Sequence, residues 1–95
     1  MNKLPIEIGS IVISKAGRDQ GRRFLVVGEV DEDFVMVANG ALRKMDHQKK
    51  KRRKHLKPTG RVVEALRQRL SQQKAVEDHE LRAWLTEEEE KLVQV

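Results

Sequence analysis

The chain has 95 residues, of which 38% are hydrophobic and three are aromatic, so it can form one small domain with a modest core and an appendage. It contains no cysteine, which excludes disulfides, thiol chemistry and cysteine-based zinc sites, and no apolar run approaches the roughly 20 residues of a membrane span. A formal net charge of +5 and a pI near 9.8 point to a polyanionic partner, with nucleic acid ahead of an anionic membrane surface. The cysteine-free composition and the lack of a visible signal peptide lead us to expect a cytoplasmic protein.

The positive charge comes from one short segment. Residues 43–60 carry nine basic residues and one acidic residue, a net charge of +8, whereas residues 1–42 and 61–95 are slightly negative. The centre of the segment is an unbroken basic run, Lys-Lys-Lys-Arg-Arg-Lys, at positions 49–54. The fold is therefore important chiefly for how it positions this run.

The first half of the chain predicts three β-strands. Beta-branched and other apolar residues place them at about residues 10–14, 24–30 and 34–38. The polar stretch between the first two strands contains Gly17 and Gly21, which predict a tight loop with at least one positive φ.

The third strand is followed by the strongest hairpin signal in the chain. Asn39 and Gly40 suit a type I′ turn, because both of its central residues need positive φ. A fourth strand is then predicted at about 41–45 and a short closing strand at 55–57, with a basic loop at 47–54 between them. Short strands that are adjacent in sequence usually curl into a small barrel, because closure removes exposed edges.

The last third of the chain predicts helices. Residues 58–60 are expected to end the β part, with Thr59 as the N-cap of an amphipathic helix of about four turns. A shorter helix is predicted at 77–85. A last one is predicted at 87–93, preceded by a capping box that begins at Thr86.

Residues 9–57 resemble a KOW domain. The resemblance is carried by the glycine-containing segment 9–22, the apolar strand after it, and segment 31–40 with its Phe-Val-Met-Val centre. The basic residues after Leu42 and the closing residues 54–56 extend it. The arrangement is most similar to the KOW-type large-subunit ribosomal proteins of archaea and eukaryotes, and to the small bacterial KOW-domain RNA-binding proteins that resemble them.

The resemblance implies a five-stranded SH3-like barrel that binds RNA, often ribosomal RNA. The expected fold class is therefore β-rich α+β, with a barrel at 1–58 that includes the basic loop at 47–54, and a helical C-terminal extension at 59–95. The chain departs from many relatives in one place, because they have a shorter basic connection where this chain has residues 49–54. The expected partner is RNA, in particular the ribosomal RNA of the large subunit, and no cofactor is implied.

Two basic patches are candidates for phosphate contact. The run at 49–54 could instead be solvated or serve as a localisation signal, but phosphate contact is favoured because a loop tethered at both ends orders at a smaller cost than a free tail. The cations around the first glycine loop could also merely keep that loop solvated. The candidate RNA contacts are Lys15, Arg18, Arg22, Arg23, Arg43, Lys44, Lys49, Lys50, Lys51, Arg52, Arg53, Lys54 and His55. The candidate residues for loop geometry are Gly17, Gly21, Asn39 and Gly40.

The three aromatic residues do not predict a base-stacking platform. Phe24 and Phe34 lie in apolar strands and are expected in the core, so we expect recognition of RNA shape and backbone rather than stacking of unpaired bases. Trp84 shares a predicted helix with Leu81 and Leu85. Core packing is its default role, and an anchor for a protein partner is the alternative.

Catalysis and metal binding are not expected. The three histidines are scattered, and the glycine loop lacks the Gly-Lys-Ser/Thr ending of a P-loop. Asp46 and His47 adjoin at the end of a predicted strand, where their side chains would point to opposite faces. Two hypotheses remain: a ribosome-associated RNA-binding protein, or a protein–protein adaptor of the transcription or translation machinery that acts through the C-terminal helices.

Overall fold

A computed structural model describes residues 5–93, with side chains through Glu88. It contains five strands and two helices in the order of a β-rich α+β fold, as expected. The strands are β1 (Ser10–Ser14), β2 (Arg23–Glu29), β3 (Phe34–Ala38), β4 (Lys49–Arg52) and β5 (Leu56–Val62), and the helices are α1 (Glu64–Ser71) and α2 (Asp78–Val93). The strands form one antiparallel sheet in the order β4-β3-β2-β1-β5.

The sheet is strongly curled. Its two edge strands, β4 and β5, are joined by a single 3₁₀ turn, Arg53–His55. In a flat sheet these edges would lie about 19 Å apart, because neighbouring strands are about 4.8 Å apart. The four chain steps from Arg52 to Leu56 span at most about 14 Å. The β4 edge is therefore drawn round toward β5, although the two strands do not pair and the sheet stays open.

The curl encloses one hydrophobic core, and the helices cover a second core on the other face of the sheet. Side chains alternate along each strand, so Val12 enters the enclosed core while its neighbour Ile11 faces the helices. The enclosed core consists of Val12, Phe24, Val26, Val35, Val37 and Leu56. The helix-side core consists of Ile11, Leu25, Val27, Ala38, Leu66, Leu81 and Leu85. Because both faces are covered, the central strands read as continuous apolar runs.

The first three strands form where they were predicted, with β2 displaced by one residue. The predicted fourth strand at 41–45 and the predicted basic loop at 47–54 are both wrong. Residues 45–47 form a 3₁₀ turn, and the fourth strand, β4, consists of the first four residues of the basic run.

The predicted type I′ hairpin is also wrong. Gly40 has a φ of 76°, but Gln73 is the only non-glycine residue with positive φ in the described part of the chain, so Asn39 does not adopt the required conformation. The Asn39 side chain instead accepts hydrogen bonds from the backbone N–H of Ala41 and Arg43, at 3.0 and 2.9 Å. The connection from β3 to β4 thus folds back on itself rather than continuing the sheet.

Helix α2 holds this connection in place. Arg82 donates a hydrogen bond to the Gly40 carbonyl, and the Met45 N–H donates to the Asp78 carboxylate at 2.7 Å. These contacts link residues more than 30 positions apart, which is why local turn signals did not reveal the connection.

Strand β5 continues to Val62, five residues beyond the predicted closing strand at 55–57 and past residues 58–60, which were expected to end the β part. Proline is tolerated because β5 is an edge strand, and the pairing of β1 with β5 is irregular next to Gly60, whose φ is 85°. Thr59 is not an N-cap, since its hydroxyl donates to the Ile11 carbonyl at 2.7 Å. The division of the chain at residue 58 into barrel and extension stays a prediction.

The helices also differ from the prediction. Helix α1 has eight residues rather than about four turns, and α2 is one continuous helix of 16 residues rather than two short ones. Thr86 lies inside α2 and donates to the Arg82 carbonyl at 2.8 Å, so the predicted capping box is wrong. Leu81 and Leu85 are one helical turn apart, and both pack in the helix-side core. This packing stabilises α2 as a continuous helix through these residues.

Gly40 provides a test of the contact between the β3–β4 connection and α2. A Cβ at Gly40 would overlap the backbone carbonyl oxygen of Asp78, and the φ of 76° adds strain for any other residue. We expect Gly40→Ala to lower the free energy of unfolding by about 2–4 kcal/mol in urea titrations. Gly21→Ala is the control, because Gly21 also has positive φ but no heavy atom lies within 4 Å of the position that a Cβ would occupy there. It should cost about 1 kcal/mol. Equal effects of the two substitutions would contradict close packing at Gly40.

Candidate nucleic-acid interface

The strand conformation of β4 divides the basic run into two sets. Side chains alternate across a strand, so Lys49 and Lys51 point to one face and Lys50 and Arg52 to the other. The Lys51 ammonium is buried and lies 2.8 Å from one Asp19 carboxylate oxygen and 2.9 Å from the Ser14 hydroxyl. The Lys49 ammonium lies 3.4 Å from the other Asp19 oxygen.

Asp19 is the anion around which these two lysines are arranged. Its side chain is 10% exposed and that of Lys51 is 8% exposed. Burial by itself would raise the pKa of Asp19, but the hydrogen bond and the charge of Lys51 outweigh burial and lower the pKa to about 2. The carboxylate is therefore ionised at neutral pH, and it ties the β1–β2 loop to β4. Lys49 and Lys51 thus have a structural role.

On the other face, two cations lie against Phe34. Phe34 is the register partner of Arg52 in the β3–β4 pair. The Lys50 ammonium is 4.5 Å and the Arg52 guanidinium carbon 4.9 Å from the centre of the ring. Both distances are within the range of cation–π attraction.

Phe34 is not a core residue, so that prediction is wrong, whereas Phe24 is fully buried as predicted. Phe34 lies on the helix side of β3 together with Met36 and Ala38, but only the latter two pack in the helix-side core. Phe34 begins the strand, beyond the area that the helices cover, and it remains half-buried.

Two grooves adjoin the outward face of β4. The larger groove has five basic lining residues, Lys15, Arg52, Arg53, Lys54 and Lys57, and two acidic ones, Glu32 and Asp33. The smaller groove is lined by Phe34, Lys50, Arg52, His55 and Gly17, with Lys49, Lys51 and Ala16. Arg52 lines both grooves, so the two adjoin at that side chain. We call the two together the basic surface.

Not every cation of the larger groove is free. Arg53 donates to the Ile6 carbonyl at 2.7 Å and to the Asp31 carbonyl at 3.2 Å, and it lies 3.7 Å from the Glu29 carboxylate. These contacts give Arg53 a structural role at the turn between the edge strands. By contrast, Lys15, Lys54 and Lys57 are exposed, and none of them has a carboxylate within ion-pair distance among the residues with described side chains.

The remaining predicted contacts are more dispersed. Arg18 and Arg22 are exposed on the β1–β2 loop, whereas Arg23 is half-buried, and its Nη1 has no hydrogen-bond partner among the described residues. Arg43 and Lys44 lie in the β3–β4 connection beside α2 and line neither groove.

The loop glycines have the predicted geometry. Gly17 and Gly21 have φ values of 82° and 87°, so both positions favour glycine. Gly17 lines the smaller groove, where the lack of a side chain leaves the backbone of the loop accessible.

Sequence reasoning missed two residues of the basic surface. Lys57 lies in the same +8 segment as the predicted contacts and could have been included on charge alone. The position of Phe34 could not have been found, because it depends on the register that places Arg52 opposite the ring.

The helices contribute little to this surface. Trp84 is half-buried and packs against the helix-side core, which agrees with its default role, while an anchor function stays a prediction. Beside it, Arg61 forms an ion pair of 3.3 Å with the buried carboxylate of Glu88.

Within the described part of the chain, no group of three His, Asp or Glu side chains could hold a metal ion, and no helix is long and apolar enough to cross a membrane. Asp46 and His47 do form a pair, at 3.1 Å, because they lie in a 3₁₀ turn rather than a strand, so the expectation that they would point apart is wrong. Both side chains are more than 70% exposed, so the pair has no enclosed site around it.

No family model matches the chain. It is similar to the large ribosomal subunit protein eL14 of three archaea. The protein of Desulfurococcus amylolyticus is 36% identical over 58 residues, which cover 61% of this chain and 60% of the relative. That of Staphylothermus marinus is 32% identical over 62 residues, or 65% of each chain. That of Pyrobaculum arsenaticum is 32% identical over 62 residues, or 65% of this chain and 60% of the relative.

The chain thus spans less than two thirds of the length of the curated relatives it matches. The predicted resemblance to large-subunit ribosomal proteins of archaea is confirmed.

Proposed function

We propose that this protein binds structured ribosomal RNA as a ribosome-associated factor of the large subunit. The observation that carries the proposal is the basic surface, on which five exposed cations converge without a carboxylate partner among the described side chains. These cations are Lys15, Lys50, Arg52, Lys54 and Lys57. The names of the archaeal relatives support the ribosome as the site of action, and hence the cytoplasm. The proposed role requires neither catalysis nor a cofactor.

We further propose that the curled sheet is an open version of the SH3-like KOW barrel, with the helical segment as its extension. The strand order β4-β3-β2-β1-β5 and the 3₁₀ turn between the edge strands support this assignment. In such an arrangement the curl places Lys49 and Lys51 of β4 against Asp19 in the β1–β2 loop and leaves Lys50 and Arg52 on the outward face. The fold thereby positions the cations, and the cations supply the affinity.

The attraction is expected to be electrostatic and to depend steeply on salt. Cations that neutralise phosphates release counterions, so the observed binding constant falls as salt rises. Glu32 and Asp33 also line the larger groove, and because they repel phosphates they should direct the RNA backbone toward its lysines.

The proposal predicts a particular salt dependence. With about five phosphates neutralised, the logarithm of the binding constant should fall against the logarithm of the salt concentration with a slope of about −3.5 to −4.5. Filter binding to ribosomal RNA over a salt series measures the slope, and sedimentation with large ribosomal subunits at low salt tests the association itself. A protein that stays at the top of the gradient and retains no RNA on the filter would refute the proposal.

The adaptor hypothesis is not favoured. The apolar side chains Leu66, Leu81 and Leu85 of the helices are buried against the sheet and are not displayed to a partner. Deleting residues 61–95 would therefore expose the helix-side core, and the truncated chain would report on folding rather than on a lost partner.

A further inference from the structure

Phe34 is an aromatic side chain that lies on the basic surface and outside both hydrophobic cores. Of the three aromatic side chains, it alone lies on the basic surface, and it is half-buried at the edge of the smaller groove. Its ring contacts two cations, Lys50 and Arg52, that are not engaged by carboxylates among the described side chains. An accessible aromatic ring among free cations suits a ligand that has both a planar face and negative charge.

We propose that the smaller groove binds one unpaired nucleobase of the RNA, stacked on Phe34 and on the guanidinium plane of Arg52. The inference deepens the proposed function and rests on it. Every base has a π-face, so stacking on an aromatic ring is sequence-tolerant, and the flat guanidinium of arginine offers a second stacking surface. Lys50 and His55 place hydrogen-bond donors along the groove, where base edges or a flanking phosphate can accept.

The meeting of the two grooves at Arg52 supports a nucleotide rather than an isolated planar molecule. Arg52 lines both, so an RNA backbone that follows Lys54 and Lys57 in the larger groove can direct one base into the smaller groove. Gly17 also lines the smaller groove, and its lack of a side chain leaves room for a ligand to approach the loop backbone. A fully paired duplex keeps its bases stacked and would use only the phosphate contacts.

A different role for the cation–π contacts is to stabilise the pairing of β3 with β4. That role requires no ligand. If it is the only role, loss of the contacts would destabilise the sheet and weaken the binding of all RNAs equally. The two explanations are therefore separated by comparing paired with unpaired RNA.

The test uses the full chain and two probes, an oligouridine of roughly 12 nucleotides and a duplex RNA of similar length. Phe34→Leu removes the aromatic face and keeps the charge. We expect it to weaken binding of oligouridine about 5-fold to 30-fold and to change duplex binding less than about 2-fold. The salt slope should be the same for wild type and variant, since no cation is removed. Phe34→Trp keeps the stacking face and should retain oligouridine affinity.

Each outcome decides between the explanations. Equal weakening on both probes, or no weakening on oligouridine, would overturn the stacking site. Upfield shifts of the Phe34 ring protons in wild type on adding oligouridine would support it without any substitution, and unchanged shifts at saturation would overturn it. If wild type binds the duplex but not oligouridine, only the stacking site fails. If it binds neither probe nor ribosomal subunits, the proposed function fails as well.

Discussion

Replacing Lys50 and Arg52 together by alanine is expected to weaken binding to ribosomal RNA about 25-fold to 60-fold near 0.1 M salt. Each phosphate contact contributes about 0.7–0.9 to the slope of the binding constant against salt on logarithmic axes. If wild type and variant bind equally at 1 M salt, the loss of two contacts weakens binding at 0.1 M by this factor. The slope itself should become shallower by about 1.4–1.8. Filter binding over a salt series measures both quantities.

A matched control removes the same charge elsewhere. Arg67 and Lys74 are exposed, belong to the helical part and line neither groove, so Arg67→Ala with Lys74→Ala keeps the net charge equal to that of the test variant. Exposed charges farther than about 10 Å from the RNA are largely screened at this salt, so a loss below about 3-fold is expected. Equal losses in the two variants would mean that overall charge, and not the basic surface, drives binding.

Replacing Asp19 by asparagine is expected to destabilise the protein by about 3 kcal/mol. The change keeps the shape of the side chain but removes the anion that faces two ammonium groups, and Lys51 is too deeply buried to be solvated instead. Breaking a buried ion pair by removing one partner typically costs about 3–5 kcal/mol. The midpoint of thermal unfolding should fall by roughly 10–25 °C. Circular dichroism during heating measures it.

Asp46→Asn is the matched control for this substitution. Asp46 is paired with His47, but its side chain is 74% exposed, and surface pairs contribute little. We expect a change within about 0.5 kcal/mol. A similarly small effect of Asp19→Asn would show that the Asp19–Lys51 contact does not contribute to stability.

The same ion pair predicts how stability depends on pH. The pKa of Asp19 is about 2 in the folded protein, below the ordinary value of 3.8, so protonation favours the unfolded chain. The contribution, about 2 kcal/mol, is fully present above pH 4 and is lost as the pH falls through 2. Urea titrations between pH 5 and pH 2 should show this loss in wild type and not in Asp19→Asn.

Local sequence was sufficient for elements whose own residues favour one conformation. Strands β1, β2 and β3 are rich in beta-branched and apolar residues that suit a sheet covered on both sides, and they form within one residue of the prediction. Two predicted elements are wrong because contacts outside the local segment override local preference. The turn at Asn39 and the capping box at Thr86 have the right local residues, but contacts with α2, or within it, impose another conformation.

The basic run illustrates a conformation that no local rule would predict. Lysine is disfavoured in strands, and like charges in a row repel one another. Strand β4 nevertheless forms because β3 offers it a pairing edge, and because Asp19, some 30 residues away in sequence, neutralises the lysines on its inner face.

The concentrated positive charge at residues 43–60 and the resemblance of the chain to RNA-binding KOW proteins follow from residue types and their order, because charge and residue pattern do not depend on folding. Which of those charges are available depends on how the chain folds. Once the run is a strand, its side chains alternate between the two faces, so Lys51 becomes part of the fold while Lys50 and Arg52 face outward around Phe34. That division depends on strand register, and register is set by long-range pairing rather than by neighbouring residues.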